Sequence, residues 1–410
     1  MAVIPRRELE DVLKNYKWLL IYGRRKTGKT FYVRERARYD KYFIVTRSRT
    51  LIDIDSGEEL TQKEFLRILP LLIKKEIIVI DEFHRLEEPV YSTLQALSGK
   101  GRIILITSTM HYFKNLIKSP LLGIFELKEV SLVDPRDAIV FAHKLGLKGK
   151  DLIEVACIAR EPWLSQKIEK YKADTSLYIK EELRTYTPYL VGEVFTEEDV
   201  ELSVRYSAIL GAIAGGKACS SEISSYLFSR GLIQKDNPGL ISQYLRNLIQ
   251  MGLIKAIPIE GRKRRAFQYR HISPITDFAY YLNEKYGFFD ADIDSMKIKS
   301  LFIERFPRYM EWFLEDLLAK HFGLQPVKIA KPELEVDVAL REHRRVKVVA
   351  EVKWKRDVGE KEIRNVEEKL LKFDARRFLI VPDKENLKRF PENVEVWDWT
   401  DLLKISLNKC

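Results

Sequence analysis

Residues 23–30 read Gly-Arg-Arg-Lys-Thr-Gly-Lys-Thr, and the apolar run Trp18-Leu19-Leu20-Ile21-Tyr22 comes directly before them. Glycines let the backbone N–H groups of such a loop curl around phosphate oxygens, and a helix N-terminus behind the loop adds partial positive charge. Lys29 can reach the β- and γ-phosphates, and Thr30 can offer its hydroxyl to Mg²⁺. The stretch therefore predicts a strand, a phosphate-binding loop and a helix, with ATP and Mg²⁺ as ligands. The residues expected to contact the nucleotide are Gly23, Arg24, Arg25, Lys26, Thr27, Gly28, Lys29, Thr30 and Phe31.

A second motif, Ile77-Ile78-Val79-Ile80-Asp81-Glu82, follows downstream. Its β-branched run suits a strand that is buried on both faces of a parallel sheet, and open α/β sheets bind ligands at the carboxyl ends of such strands. Asp81 is then expected to hold the Mg²⁺ shell, and Glu82 to orient or deprotonate the attacking water. A strand that merely ends in a polar turn is the alternative, and the phosphate loop upstream makes it the weaker one.

A third apolar strand, residues 102–109, ends in Thr107, Ser108 and Thr109. We expect Thr107 or Ser108 to touch the γ-phosphate or the water, and we assign this catalytic role to Ser108. Simple capping of the strand end is the competing interpretation.

Length and composition limit the class of protein. The chain has 410 residues, a net charge of +11 and a pI near 9.2, so about three domains and a polyanionic partner, DNA, are expected. The charged fraction of 32% also fits a thermophile-like surface without such a partner. Three cysteines without a C-x-x-C pair argue against disulfides and a zinc ribbon. No apolar run approaches the roughly 20 residues of a membrane span, and no secretion signal is evident, which predicts a cytoplasmic protein.

Changes in pattern along the chain predict four segments. Alternating strands and helices over residues 1–132 indicate a parallel sheet wrapped by helices. Asp134-Pro135 reads as a helix N-cap and first-turn proline, which opens a helical lid over residues 133–200. Residues 201–273 show three helices and a hairpin, the order of a winged helix-turn-helix. Residues 274–410 contain linker helices and a small α/β domain.

The winged-helix segment carries the expected DNA contacts. Its hairpin tip can lie along the phosphate backbone, and its third helix can enter the major groove through Gln243, Arg246 and Asn247. A hinge packed on the ATPase core is the alternative, but a buried hinge would disfavour four consecutive basic residues. The basic residues of the tip are Arg262, Lys263, Arg264 and Arg265.

The C-terminal segment contains a second set of candidate catalytic residues. If the strands around residues 335–339 and 348–355 form a hairpin, Asp337, Glu351 and Lys353 can converge. Two carboxylates can hold Mg²⁺ while a lysine activates water, and Glu315 on the preceding helix can add a third carboxylate. The α-β-β-α-β order and the spacing are those of restriction-type endonucleases. An ordinary amphipathic hairpin is the alternative.

Taken together, Gly23–Thr30, Ile77–Phe83 and Ser119–Gly123 resemble the archaeal AAA-type ATPases grouped with the STAND class. The later segments resemble the winged helix and PD-(D/E)xK nuclease-like domain that often follow that module. The resemblance implies an ATP-driven switch or motor. Two features depart from it: Ile124 stands where the family commonly has an arginine, and the segment around Arg160 keeps a proline but lacks the family's glycines. Arg160 is expected to be a surface residue or a substitute phosphate sensor.

The sequence therefore predicts an ATP-binding, Mg²⁺-dependent P-loop ATPase that acts on or near DNA and carries a possible metal-dependent nuclease domain. One alternative is an ATP-gated DNA- or protein-binding switch whose nuclease-like domain is inactive. Another is a transcription regulator that uses the winged helix alone. Metal-dependent DNA cleavage separates the first prediction from the other two, and an oligomer is compatible with each.

Overall fold

The computed structural model describes residues 3–108, 123–171, 183, 200–261, 266–329, 331 and 334–408. Contacts divide the chain into two compact units. The first comprises Arg6–Leu132 and Arg246–Leu253, and the second comprises Met1–Pro5, Val133–Leu245 and Ile254–Cys410. Among the described residues, no helix has both the length and the apolar character needed to cross a bilayer.

The first unit is an α/β domain built on a parallel sheet. Its elements are α1 (Arg7–Glu10), β1 (Trp18–Tyr22), α2 (Lys29–Arg36), β2 (Lys41–Val45), β3 (Leu51–Asp53), β4 (Glu59–Leu60), α3 (Gln62–Leu72), β5 (Ile77–Asp81), a 3-10 turn (Phe83–Arg85), α4 (Glu88–Ala96), β6 (Arg102–Thr107) and β7 (Glu126–Glu129). The described strands follow the order β4-β3-β2-β5-β6-β1-β7, and β2, β5, β6, β1 and β7 run parallel.

Strand β6 lies between β1 and β5 in this sheet. The carboxyl ends of β1, β5 and β6 therefore meet at one edge, where the phosphate loop follows β1. Strands β1, β5 and β6 are near-continuous apolar runs whose residues are mostly buried, as is typical of a parallel sheet that is covered on both faces. The predicted parallel α/β fold of this segment is confirmed.

The second unit begins with helices that were predicted to form a lid. They are α5 (Pro135–Lys144), α6 (Gly149–Ala159), a 3-10 turn (Pro162–Leu164) and α7 (Ser165–Tyr171). Asp134 caps α5 through its side chain, with Pro135 in the first turn. The buried faces of α5 and α6 share one hydrophobic core with later helices and strands of the same unit. A position over the nucleotide stays a prediction.

Three helices and a hairpin follow in the predicted order. They are α8 (Val200–Ala214), α9 (Ser220–Ser229), α10 (Pro238–Gln250), β8 (Ile254–Glu260) and β9 (Ala266–His271). The hairpin gains a third strand, because β11 (Lys328–Ile329) pairs parallel with β8. The basic tip, residues 262–265, lies outside the described residues.

The remaining elements form a three-layer α/β arrangement. They are α11 (Pro274–Tyr286), α12 (Ser295–Phe322), β10 (Gln325–Pro326), β12 (Val338–Glu342), β13 (Arg345–Val352), α13 (Glu360–Leu370), β14 (Arg376–Ile380), a 3-10 turn (Lys384–Asn386), β15 (Glu395–Trp397) and α14 (Trp399–Leu407). The sheet order is β10-β12-β13-β14-β15, with β12 and β13 antiparallel. Alternate residues of β12–β14 enter two different cores, one shared with α12 and the other with α13.

Candidate functional site

The loop between β1 and α2 has the backbone of a tight anion cradle. Gly23 and Gly28 adopt positive φ angles of 145° and 81°, and Lys26 adopts 61°. A Cβ atom on Gly23 would lie 2.0 Å from the carbonyl oxygen of Val130. Only glycine tolerates this close approach. Glycine at position 23 therefore lets the loop leave β1 directly against the backbone of Val130, which follows β7.

Lys29 is folded back into this loop. Its Nζ donates hydrogen bonds to the carbonyl oxygens of Gly23 at 2.8 Å and Arg24 at 2.7 Å. Burial lowers the pKa of Lys29 to about 7, although Asp81 and Glu82 act in the opposite direction. The loop carbonyls compensate the charge of the Lys29 ammonium only in part. The phosphates of a bound triphosphate would complete this compensation.

Thr30 and Asp81 form the side of the site that suits Mg²⁺. The Thr30 hydroxyl donates to Asp81 Oδ2 at 2.6 Å, and the Tyr42 hydroxyl donates to the same oxygen at 2.8 Å. The backbone N–H of Glu82 donates to Oδ1 at 2.8 Å. Burial raises the pKa of Asp81, and the hydrogen bonds from Thr30 and Tyr42 oppose that rise. A hydroxyl and a carboxylate converge here as hard oxygen donors, so the residues fit Mg²⁺.

Glu82 follows Asp81 in a left-handed backbone conformation, with φ of 54°. Non-glycine residues rarely adopt this conformation, and it is concentrated at functional sites. The Ser108 hydroxyl, just past β6, donates to Glu82 Oε1 at 3.1 Å. The structure thus brings Ser108 to the proposed base, whereas the neighbouring Thr107 is fully buried beside His84.

The other predicted loop residues differ in exposure. Arg24 and Thr27 are buried, and Thr27 Oγ1 donates to the Arg24 carbonyl at 2.8 Å. Arg25 is half-buried, while Lys26 and Phe31 are exposed. The buried side chains of Arg24 and Thr27 stabilise the shape of the loop. The exposed side chains of Lys26 and Phe31 can contact a ligand without rearrangement.

Two residues singled out as departures from the family pattern can now be placed. Ile124 is partly buried against the apolar core of the first unit. Arg160 is not on the surface: it is 9% exposed, pairs with Asp316 at 2.7 Å and donates to the Val133 carbonyl at 3.0 Å. The expected surface role of Arg160 is therefore wrong, because an ion pair compensates its burial.

The C-terminal candidate residues converge beside β12 and β13. Lys353 Nζ lies 2.9 Å from Glu351 Oε2 and 4.0 Å from Asp337 Oδ2. Lys369 of α13 pairs with the other Glu351 oxygen at 2.5 Å, and the backbone N–H of Val352 donates to Asp337 at 2.8 Å. Burial and the nearby Glu351 raise the pKa of Asp337. Asp337 precedes β12 and Lys353 follows β13, so both lie just outside the strands predicted to carry them.

The acidic residue of α12 that Asp337 influences electrostatically is Glu311, which was not predicted from the sequence. Burial and then Asp337 raise the pKa of Glu311 to about 7. Glu315, the predicted residue, instead pairs with Arg270 at 2.5 Å and with Lys255 at 3.6 Å. The role expected for Glu315 is wrong. Its ion pairs lie one helical turn away from Glu311, the residue whose pKa Asp337 raises.

The metal-binding capacity of this second site is limited. Across the described part of the chain, no group of three or more His, Cys, Asp or Glu residues has an arrangement that could hold a metal ion. Asp337 and Glu351 supply two carboxylates, but lysines neutralise them in this conformation. A divalent ion would have to displace Lys353 from between them.

The predicted DNA-contact residues on α10 differ in exposure. Gln243 and Arg246 are exposed, and Asn247 is half-buried. The predicted contacts at Arg262, Lys263, Arg264 and Arg265 lie outside the described residues, so the DNA interface stays a prediction.

With this geometry in place, known proteins provide a comparison. Residues 15–133 match the family profile of the AAA domain, which supports ATPase activity for the first unit in general terms. An uncharacterized protein of Methanocaldococcus jannaschii, MJECL04, is 25% identical, with 86% of each chain covered.

Solved structures are only distantly similar. The Aeropyrum pernix ORC1 protein, in complex with DNA, is 16% identical with a TM-score of 0.30, over 67% of this chain and 90% of that one. The ORC2 protein of the same organism, in its ADP form, is 14% identical with a TM-score of 0.31, over 74% and 92%. Likenesses this weak carry no argument about function.

Proposed function

We propose that this chain binds ATP with Mg²⁺ and hydrolyses it in the first unit. The observation that carries the proposal is the hydrogen bond from Thr30 to Asp81 at the end of the phosphate loop. It joins Thr30 of the first motif to Asp81 of the second, 51 residues further along the chain, at the sheet edge where Glu82 and Ser108 also meet. A strand that ended in a solvated polar turn would have no reason to pair with the loop's threonine.

Each residue then has a defined task. Bound ATP with its Mg²⁺ supplies an electrophilic γ-phosphoryl group. Lys29 exchanges its loop carbonyls for phosphate oxygens, and Thr30 with Asp81 holds the cation shell. Glu82 accepts the proton of the attacking water, and Ser108 fixes one oxygen of that carboxylate.

Nucleotide binding by Lys29→Ala tests the loop assignment. Removing the ammonium should abolish measurable ATP affinity, because Lys29 is the cation that folds back onto the loop carbonyls of Gly23 and Arg24. Lys63→Ala, an exposed change on α3, serves as the control and should bind ATP normally. Wild-type affinity in Lys29→Ala would reject this loop as the site.

DNA is the proposed partner of the second unit. Support comes from the net charge of +11, the basic run at 262–265, and the order of three helices followed by a hairpin over α8–β9. This order is that of a winged helix, which contacts DNA through its third helix and its wing. We also propose, from the sequence resemblance described above, that the chain is related to the STAND class of ATPases.

A second candidate function is metal-dependent DNA cleavage at the C-terminal site. The meeting of Asp337, Glu351 and Lys353 around one point favours it. Labelled single- and double-stranded DNA, incubated with Mg²⁺ or Mn²⁺ and with or without ATP, provides the test. Cleavage should disappear in Asp337→Ala and Glu351→Ala, while Lys353→Ala should bind metal without cleaving. Intact DNA under all conditions would leave an ATP-gated switch or regulator with an inactive nuclease-like domain.

A further inference from the structure

The carboxylate of Glu82 is contacted on both oxygens. Ser108 donates to Oε1, as described above. Oε2 is buried and accepts no hydrogen bond from the described residues, yet two donors face it. His84 Nε2 lies 3.6 Å away and an Arg85 Nη atom lies 3.4 Å away. Arg85 is itself anchored, because its other Nη donates to the Val45 carbonyl at 2.7 Å.

The ring of His84 is fixed from behind by Thr107. The His84 side chain is 4% exposed, and its Nδ1 lies 3.1 Å from Thr107 Oγ1, whose residue is fully buried on β6. When the hydroxyl of Thr107 donates to Nδ1, the ring proton of the neutral imidazole is on Nε2 and points toward Glu82. Thr107, His84 and Glu82 thus form a chain from β6 to the end of β5.

We propose that His84 is a positioning residue for Glu82, an inference that rests on the hydrolysis proposed above. A small rotation of Glu82 closes the 3.6 Å gap and gives its second oxygen a hydrogen bond. Each carboxylate oxygen keeps a further lone pair, so Glu82 can still accept a proton from water. His84 therefore orients the base through the Glu82 carboxylate, as the third member of other catalytic groupings orients its base.

The test compares His84→Leu with His84→Gln. Leucine fills similar volume without an N–H, whereas glutamine can present an amide N–H near the position of Nε2. His84→Leu should keep the wild-type Kd for ATP and lose up to about a hundredfold in kcat, the scale expected for a misplaced catalytic group. His84→Gln should recover most of that loss. Combining His84→Leu with Glu82→Gln should cost no more than Glu82→Gln alone, since residues in one pathway are not additive.

The outcomes separate this inference from the proposal beneath it. A wild type that does not hydrolyse ATP overturns both. A hydrolysing wild type with unchanged kcat in His84→Leu, or with no recovery in His84→Gln, overturns only the role of His84. If His84→Leu does not fold, Thr107→Val replaces it, because loss of the hydroxyl frees the ring tautomer. A folded Thr107→Val should lose kcat with KM unchanged, and an unaltered kcat there would also refute the role.

Discussion

Burial in the phosphate loop changes the charge of a single residue, Lys29, at neutral pH. Its folded-state pKa of about 7 lies below the ordinary lysine value of 10.5. Between these two pH values the unfolded chain binds a proton that the folded chain does not, so this group makes the free energy of unfolding rise with pH there. A triphosphate at the amine reverses the balance by favouring the charged form.

Binding of Mg²⁺–ATP at pH 8 should therefore take up close to one proton per site. Isothermal titration calorimetry in two buffers of different ionisation enthalpy measures this uptake. At pH 6 the uptake should vanish, because Lys29 is already charged. Lys29→Arg is the matched control, since a guanidinium stays protonated at both pH values. Equal binding enthalpies in both buffers at pH 8 would contradict the assignment of the buried amine to the ligand.

Prediction for single residues is simplest where short sequence spacing determines which groups meet. Lys29 contacts carbonyls of its own loop, and Lys353 contacts Glu351 two residues before it, while the functional roles of these residues stay predictions. Prediction failed on α12, where Glu311 and Glu315 are one turn apart and only tertiary packing decides which acid approaches Asp337. Arg160 was misplaced for the same reason, since its partner is 156 residues away.

At the scale of elements, the long helices and strands were predictable. Runs such as residues 77–80 have the apolar pattern of a buried strand, and Asp134 with Pro135 marks a helix start. The strands missed were short: β4, β10 and β11 contain two residues each and β3 and β15 three each, too few to show a period. Pairing of β11 with β8 joins segments about 70 residues apart, which local sequence does not encode.

The basic tip between β8 and β9 gives a testable prediction about DNA binding. Neutralising Arg262, Lys263, Arg264 and Arg265 to glutamine should weaken DNA binding similarly for all sequences. The slope of log K against log salt should also flatten, by about 0.9 for each duplex phosphate that the tip no longer neutralises. Fluorescence anisotropy at several salt concentrations measures both effects.

A second group of exposed basic residues provides the matched control for the tip variant. Arg344 lies at the turn between β12 and β13, Arg345 and Lys347 lie in the first residues of β13, and all three are exposed. Neutralising them should leave the salt slope unchanged. A slope equal to the wild-type value in the tip variant would show that residues 262–265 form only a solvated turn.

A partly buried ionic network joins distant parts of the second unit. Asp316 on α12 contacts Arg160 after α6, Lys255 on β8 and Arg270 on β9. Burial alone would raise the pKa of Asp316, but Lys255, Arg160 and Arg270 hold it well below its usual range. The network thus joins the predicted lid helices, the hairpin and the C-terminal domain within one unit.

Asp316→Asn should destabilise the second unit by about 3–5 kcal/mol, because it removes the carboxylate that pairs with Arg160 and one of the two that neutralise Lys255 and Arg270. Thermal and denaturant unfolding measure the change. The wild type should keep this contribution above the unfolded pKa of an aspartate and lose it as the pH falls toward the depressed folded value. Glu360→Gln, which removes an exposed ion pair with Arg364, should cost less than about 1 kcal/mol. Equal unfolding curves for Asp316→Asn and wild type would refute the structural role of the network.

Hydrolysis of ATP by wild type and Glu82→Gln, with ATP affinity measured on the same samples, tests whether the edge formed by Lys29, Thr30, Asp81 and Glu82 binds ATP and activates water. We predict Mg²⁺-dependent turnover in the wild type. In Glu82→Gln we predict unchanged affinity and a rate lower by about 10²–10⁴-fold, since the amide can orient water but cannot accept its proton. Equal rates in the two proteins, or no Mg²⁺-dependent ATP binding by the wild type, would contradict the account.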